Sequence, residues 1–437
     1  MADKTMTNPE RQIVPPNSSG ALNSLVLSFE EARRVVEGQA LGVAPPTTES
    51  VELLDAAGRI LAESIAADRD FPPFARATRD GYAVRTADLS NLPAALEVIG
   101  EIKAGQKPNQ VPAGVKPGQA VSIMTGAPVP AECDGVVMVE YTSRQGERVE
   151  IIRGIAAGEN IVPRGAEARQ GNVLLERGLR LNEAAVALAA SVGRARVEVF
   201  QKPRVAILST GDELVDIEDS PGPTEIRNSN TYSLAVQVKA AGGEAVLLPI
   251  APDEPGRLRQ LIDEGMQADL LLLTGGVSMG RYDLVEQVLT EAGAGFFFTG
   301  ANIQPGRPVV FGGVLSVANS SASQKLKYFF GLPGNPVSTM VTFELFARPM
   351  LEALAGLAPQ KLRFLHAKLK AEIRVKTGLR RFLPAILSGE FENSEVELVP
   401  WHGSGDLAAT ARANCYIVIP PDRERIAAGE FVSVMMR

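Results

Sequence analysis

The sequence predicts an α/β multidomain protein. A central parallel-sheet α/β domain is joined by an N-terminal helical segment, an inserted all-β domain and a small C-terminal β-barrel domain. Residues 204–208 (Arg-Val-Ala-Ile-Leu) and 269–273 (Asp-Leu-Leu-Leu-Leu) are short apolar runs ending in polar, glycine-bearing turns. Such runs read as strands buried on both faces, as in parallel sheets. Between them, 230–241 reads as a helix and 245–249 as a further strand. Strands alternating with helices indicate βαβ units, whose ligands collect at the carboxyl ends of the strands. Before and after this core, short strands split by Gly and Pro indicate β-domains.

In chain order, residues 1–24 are polar and rich in Pro, Asn, Ser and Thr, and are expected to be disordered. Ser28 reads as a helix N-cap with Glu31 at the capping-box position, and the helix is expected to run to about Gly38. Residues 25–60 and 160–200 form the expected N-terminal helical and linker domain, with an Ala-rich helix at 183–191. Residues 61–159 form the inserted β domain, with strands at 120–124, 135–139 and 149–152. The α/β domain is expected over 201–358, its last helix running from about Thr339 to Leu354. The C-terminal β domain takes 359–437.

A chain of 437 residues with 45% hydrophobic and 22% charged residues is ordinary for a multidomain globular protein. A net charge of −7 argues against a broad nucleic-acid surface, and no apolar run reaches the length that spans a bilayer. Cys133 and Cys415 show no metal or redox spacing and read as buried thiols, and the expected location is cytoplasmic. His366 and His402 are the only histidines, which removes most zinc sites and Ser-His-Asp hydrolases. Chemistry must rest on carboxylates, hydroxyls, backbone amides and Lys/Arg.

Five stretches carry such groups. Thr274-Gly275-Gly276-Val277-Ser278-Met279-Gly280 follows a strand and precedes a helical stretch, so its amides suit an anion. It is neither a Walker loop nor a dinucleotide fingerprint. Thr210-Gly211-Asp212-Glu213 and Asp283 bring acids to strand ends, which fits a Mg²⁺ bridging carboxylates and phosphate; Asp212 would equally serve to cap a following helix. Gln304-Pro305-Gly306-Arg307-Pro308 holds a guanidinium suited to oxyanions, and Pro333-Gly334-Asn335-Pro336 leaves Ser338 near a helix N-terminus. Finally, residues 70–84 concentrate three aromatics, two arginines and Asp80-Gly81, the composition of a ligand-facing loop. Trp401 and His402, beside Gly403-Ser404-Gly405-Asp406, read as packing or rim residues.

Together, these and neighbouring stretches resemble the molybdopterin molybdenumtransferase family (MoeA, and the E domain of gephyrin and its plant counterpart). The matching segments are Ala57-Gly58-Arg59-Ile60-Leu61-Ala62, Asp80-Gly81-Tyr82-Ala83-Val84, Ile123-Met124-Thr125-Gly126-Ala127-Pro128 and Ser209-Thr210-Gly211-Asp212-Glu213-Leu214. Gly275-Gly276-Val277-Ser278 with Tyr282-Asp283, Pro305-Gly306-Arg307-Pro308 and Gly331-Leu332-Pro333-Gly334-Asn335-Pro336-Val337-Ser338 follow in family order.

The resemblance implies a molybdopterin-binding α/β domain and insertion of molybdenum into adenylylated molybdopterin, using molybdate and Mg²⁺ and releasing AMP. It implies a homodimer, with the molybdopterin adenylyltransferase and acceptor molybdoenzymes as possible partners. Asp80, Thr125, Asp212 and Asp283 are the implied catalytic residues, and Asp212, Asp283 and Glu167 the implied metal ligands. Thr210, Gly211, Gly275, Gly276, Ser278 and Arg307 are implied in substrate binding, as are Pro333, Gly334, Asn335, Ser338, Arg380 and Ser404. Arg307 stands where the family typically has Lys, and Glu167 where it usually has Asp.

The chain also departs from the family pattern. Phe74-Ala75-Arg76-Ala77-Thr78-Arg79 replaces the usual Phe-Asp-Asn-Ser-Ala-Met, so two arginines arrive where acid and amide groups leave. Gln304 replaces a lysine, and the helix near Ala185 lacks an expected Glu. Two other activities fit parts of the pattern: molybdopterin adenylylation, whose enzymes share the Gly-Gly-Val-Ser loop, and pterin binding or scaffolding without turnover.

Overall fold

The computed structural model describes residues 25–106, 112, 114–276, 284–317 and 324–437. The N-terminal 24 residues, expected to be disordered, lie outside the described residues. The chain divides into two compact units, one of residues 1–49, 58–60 and 199–437, the other of residues 50–57 and 61–198.

The first unit is built on a six-stranded sheet in the order Glu244–Leu247, Arg204–Ser209, Leu270–Thr274, Gln324–Leu332, Val310–Val317 and Ala294–Phe298. The first four are mutually parallel; the hairpin of Val310–Val317 with Gln324–Leu332 and the Ala294–Phe298 edge add antiparallel pairs that the expected parallel sheet did not include. From Arg204–Ser209 the chain passes through helix Asn230–Ala241 to the strand on one side. It then passes through helix Pro255–Gly265 to the strand on the other. The carboxyl ends of Arg204–Ser209 and Leu270–Thr274 therefore flank a topological switch point, where open α/β sheets bind ligands.

Alternation along these strands explains their unbroken apolar runs. Val205, Ile207, Leu270 and Leu272 join one buried cluster with Leu234, Val238 and Val36. Ala206, Leu208, Leu271 and Leu273 join another with Leu258, Leu261, Val285 and Val288. Both faces are covered by helices, so every position is apolar.

Helix Phe29–Leu41 begins with the expected capping box: Ser28 Oγ accepts the Glu31 N–H, and the Glu31 carboxylate accepts the Ser28 N–H. It continues one turn past the expected end at Gly38, because Ala40 is still buried on the core face. The last α/β helix starts at Pro336, earlier than expected, and is interrupted by a π-helical turn, Phe343–Ala347, before Arg348–Leu354. A π turn disturbs the regular carbonyl ladder. Here the buried Arg33 guanidinium donates to the Leu345 carbonyl at 2.6 Å and to Glu37 at 2.6 Å.

Beyond this helix, Leu365–Leu369, Arg380–Ser388, Glu395–Leu398, Cys415–Ile419 and Phe431–Met436 form a five-stranded sheet that closes on itself, because Arg380–Ser388 pairs with both Glu395–Leu398 and Cys415–Ile419. Closure leaves a barrel core of residues such as Leu369, Val396, Ile417 and Val434.

In the second unit, a six-stranded sheet runs in the order Gly135–Met138, Gly81–Val84, Gln119–Ile123, Ala94–Ile102, Arg148–Ile151 and Thr142–Gln145. Helix Glu183–Ser191 is N-capped by Asn182, whose Oδ1 accepts the Ala185 N–H at 2.9 Å. Ala185 itself, near which the resemblance led us to expect a Glu, is buried. Both cysteines are buried as expected, and burial pushes the Cys133 thiol up to about 12 and the Cys415 thiol up to about 11. Among the described residues no helix is long and apolar enough to cross a membrane.

Replacing Arg33 by Met is expected to destabilise the first unit by about 1–3 kcal/mol, because it leaves the Leu345 carbonyl buried without its donor. Urea unfolding monitored by circular dichroism checks this; an unchanged midpoint would show that the π turn does not need the guanidinium.

Candidate active site

The two central strands end side by side, and their last rung joins them: the Thr210 N–H donates to the Thr274 carbonyl at 3.0 Å. Ser209, Thr210 and Thr274 are all buried, so the polar residues expected at the strand ends are held by hydrogen bonds. The Thr210 hydroxyl donates to Asp253 Oδ1 at 3.0 Å, the Asp253 N–H donates to Asp212 Oδ1 at 3.0 Å, and the Gly211 N–H reaches the Ala251 carbonyl. No helix follows Asp212, so it does not cap one; the chain enters the short strand Leu214–Val215 instead. Gly275 takes φ 88°, and a Cβ there would stand 2.2 Å from the Thr210 carbonyl oxygen. Only glycine permits so close an approach of the two turns.

The Pro333–Ser338 loop is tied to the same place. The Thr274 hydroxyl donates to the Pro333 carbonyl at 3.2 Å, and Thr339 N–H donates to the Asn335 carbonyl at 2.9 Å. Asn230, the first residue of its helix, bridges the turns. Its Nδ2 donates to Thr274 Oγ1 at 2.9 Å and to the Gly334 carbonyl at 2.7 Å. Ser338 is buried in the first turn of helix Pro336–Thr342, where its carbonyl accepts the Thr342 hydroxyl at 2.8 Å. Ser404 reaches this helix start through its main chain: its carbonyl accepts the Val337 N–H at 3.0 Å.

Arg307 is exposed, and its carbonyl accepts the Ala301 and Val309 N–H groups, which hold the loop while leaving the guanidinium outward. Arg380 is engaged elsewhere: it pairs with Glu30 and lies 5.3 Å over the Phe29 ring. Ser278 and Asp283 lie outside the described residues.

Three assigned residues belong to the second unit. Asp80 precedes Gly81–Val84 and Thr125 follows Gln119–Ile123; these strands pair with Gly81 opposite Ile123, which brings the two residues together. Asp80 Oδ1 accepts the Thr125 N–H at 2.7 Å and the Thr125 hydroxyl at 2.8 Å. The N–H first, and then the hydroxyl, hold the Asp80 carboxyl below its ordinary range. Glu167 is paired with Arg76 at 2.8 Å. One of the two arginines that depart from the family pattern is thus spent on an assigned metal ligand.

Among the described residues, no group of three His, Cys, Asp or Glu side chains stands ready for a metal. Asp253 and Asn230 escaped the sequence reading. Asp253 follows the Glu244–Leu247 strand much as Asp212 follows its own, and that recurrence is the signal that points to it. Nothing local marks Asn230, whose partners lie 44 and 104 residues away.

Models of known families match the chain in three pieces. They are the MoeA N-terminal region (domain I and II) over residues 27–193, a probable molybdopterin binding domain over 206–353, and the MoeA C-terminal region (domain IV) over 366–436. A molybdopterin molybdenumtransferase of Nostoc sp. is 36% identical over 402 residues, covering 89% of this chain and 88% of its own. One from Bacillus subtilis is 33% identical over 417 residues, covering 93% of each. The crystal structure of a molybdopterin biosynthesis moeA protein from Pyrococcus horikoshii OT3 matches with TM-score 0.74 at 28% identity, over 94% of this chain and 100% of that one.

The depressed Asp80 pKa means that its bonds to Thr125 contribute above the ordinary carboxylate value and are lost as pH falls through the folded-state value. In Thr125→Ala the hydroxyl is lost and the N–H stays, so the Asp80 pKa should rise part of the way to the ordinary range. A carboxyl-carbon NMR titration reads this directly; an unmoved pKa would remove the hydroxyl from the account.

Proposed function

The chain belongs to the molybdopterin molybdenumtransferase family, and on that premise we propose that it inserts molybdenum from molybdate into adenylylated molybdopterin, with Mg²⁺ and release of AMP. Family membership makes it a transferase of molybdenum cofactor biosynthesis; the adenylylated substrate, the metal and the released nucleotide are our reading. The observation that carries it is the knot of turns at the switch point, where Thr210, Gly275, Asn230 and Gly334 are bonded or packed against one another beside two carboxylates.

The substrates are anions: a pterin carrying a pyrophosphate linkage to adenosine, and molybdate, a dianion. Glycine turns expose backbone N–H groups to such ligands, and the outward Arg307 guanidinium supplies the charge that pairs with an oxyanion. Thr210, Gly211, Gly275 and Gly276 would line the pterin pyrophosphate. Pro333, Gly334, Asn335 and Ser338 would face molybdate together with Arg307.

The residues present fit Mg²⁺. One oxygen each of Asp212 and Asp253 is taken by an internal hydrogen bond, and both residues are exposed. Mg²⁺ is commonly held by one or two carboxylates, the rest of its shell being phosphate and water. Asp212 and Asp253 would hold it, and its contribution is to neutralise charge on the pyrophosphate. Asp283 completes the assigned acids. Asp80 and Thr125 would act in catalysis and Ser278 and Ser404 in substrate binding; Glu167 and Arg380, assigned to the metal and the substrate, would first have to leave their ion pairs with Arg76 and Glu30. A cytoplasmic homodimer served by the molybdopterin adenylyltransferase, and serving acceptor molybdoenzymes, belongs to the same reading.

AMP release from adenylylated molybdopterin, with purified protein, Mg²⁺ and varied molybdate, tests this. Molybdate-dependent release is expected; tight binding without release would favour a pterin-binding protein without turnover. Asp212→Asn should lower Mg²⁺-dependent turnover by at least about tenfold while changing pterin affinity far less. Equal losses in both would sink its metal role. Arg307→Ala should raise the half-saturating molybdate concentration by about tenfold or more, the worth of one charged hydrogen bond. An unchanged molybdate dependence would take Arg307 out of that site.

A further inference from the structure

We propose that the first unit carries a second small-molecule site, at the end of the sheet away from the switch point, which takes an amino acid with a large apolar side chain. The site is a cavity of about 410 Å³, within the size range of small-molecule pockets. Pro203 and Asp269 of its lining stand directly before strands Arg204–Ser209 and Leu270–Thr274, and Tyr328 of its lining pairs with Leu270. The cavity therefore lies at the amino ends of the parallel strands. The turns of the switch point leave the carboxyl ends, about 13 Å further along a strand as long as Leu270–Thr274. The cavity thus shares no residue with the turns given to the pyrophosphate and molybdate.

Two opposite charges line this cavity without pairing. Lys202 and Asp269 both belong to its wall, and neither forms an ion pair with the other or with a further group among the described residues. Asp269 is held in place by Arg204: its N–H donates to the Arg204 carbonyl at 2.8 Å, and its Oδ2 accepts the Arg204 N–H at 2.9 Å. Its Oδ1 is left without a partner among the described residues. Gln201, next to Lys202, is tied to Thr47. Its N–H donates to the Thr47 carbonyl at 2.8 Å and its Oε1 accepts the Thr47 hydroxyl at 2.6 Å, which leaves the Nε2 hydrogens for a ligand. Gly42, the C-cap of helix Phe29–Leu41, lines the same cavity. That helix has no basic residue in its last turn, so its negative end favours a cation that its own side chains do not supply.

Much of the remaining wall is apolar. Val43 comes from the segment after the first helix, Leu326 and Tyr328 from the sheet, and Leu354 from the end of the last α/β helix. The ligand that satisfies such a lining carries a carboxylate for Lys202 and Gln201, an ammonium for Asp269 and the helix end, and an apolar body for the rest. An α-amino acid bears all three on one carbon, and its net charge of zero matches one cation facing one anion. Molybdate and nucleotides, which are multiply negative, would set uncompensated charge against Asp269. The substrates of the preceding reading are therefore excluded from this cavity by the same charges that admit a zwitterion.

The test uses three probes on the full-length protein: L-phenylalanine, phenethylamine, which lacks the carboxylate, and 3-phenylpropionate, which lacks the ammonium. Ligand-observed NMR titration should show wild type binding L-phenylalanine at least about tenfold more tightly than either of the others, the worth of one charged hydrogen bond. Lys202→Met should weaken L-phenylalanine by about tenfold or more and leave phenethylamine within about twofold. Asp269→Asn keeps an oxygen for the Arg204 N–H; it should weaken L-phenylalanine by a similar factor and leave 3-phenylpropionate within about twofold. That crossed pattern is one that a general loss of structure does not produce. Failure of wild type to bind L-phenylalanine would overturn the proposal. So would equal binding of the three probes, or variants that weaken all three alike. Neither residue belongs to the switch-point site, so AMP release should be unchanged in both variants, and failure of the transferase reading would leave the binding result standing.

Discussion

The hydrogen bond from the Thr210 N–H to the Thr274 carbonyl, 3.0 Å long, is the rung on which the site depends. It ends a parallel ladder in which Val205 faces Leu270 and Ser209 faces Thr274. Side chains of both strands are buried on both faces, so a slip of one residue would send each to the opposite cluster. The register is therefore held by the whole core, and the two turns leave it at a fixed spacing. That spacing lets Gly275 approach Thr210 and lets Asn230 reach Thr274 and Gly334 together.

The loop that carries Pro333 and Ser338 is held from the other direction. Helix Pro336–Thr342 runs into a π turn whose Leu345 carbonyl is met by Arg33, and its first N–H groups are met by carbonyls. One of those carbonyls, that of Ser404, comes from the loop beside the C-terminal barrel. The loop beside the barrel thus holds this helix at its start, and the N-terminal helix holds it at the π turn. Arg380 is part of this frame: its pairing with Glu30 and its stacking on Phe29 link the barrel to the N-terminal helix.

Much of the fold was legible because its signals are local. The Ser28/Glu31 box spans three residues, the buried strands are continuous apolar runs, and the 183–191 helix carries its Asn182 cap next to it. Where the reading differed, longer-range packing decided. The first helix passes Gly38 because Ala40 finds a buried place, and the sheet gains antiparallel strands because the Val310–Val317 hairpin folds back along Gln324–Leu332. Side-chain partners were the least legible. Arg76 belongs to the stretch read as a ligand-facing loop, yet it meets Glu167, 91 residues away.

The sequence by itself determined the main buried strands and the helices that begin at Phe29, Glu183 and Asn230, which turns carry glycine and hydroxyl groups, and the family pattern that runs through them. These follow from periodicity and backbone preference, which act over a few neighbouring residues. Tertiary structure alone decided which of those groups touch. Asp80 meets Thr125 through the pairing of Gly81 with Ile123, Asp253 joins Asp212, and Asn230 holds Gly334 with its own oxygen unspent. The reason is physical: a hydrogen bond works only within about 3 Å, and residues scores of positions apart are brought that close only by sheet register and core packing.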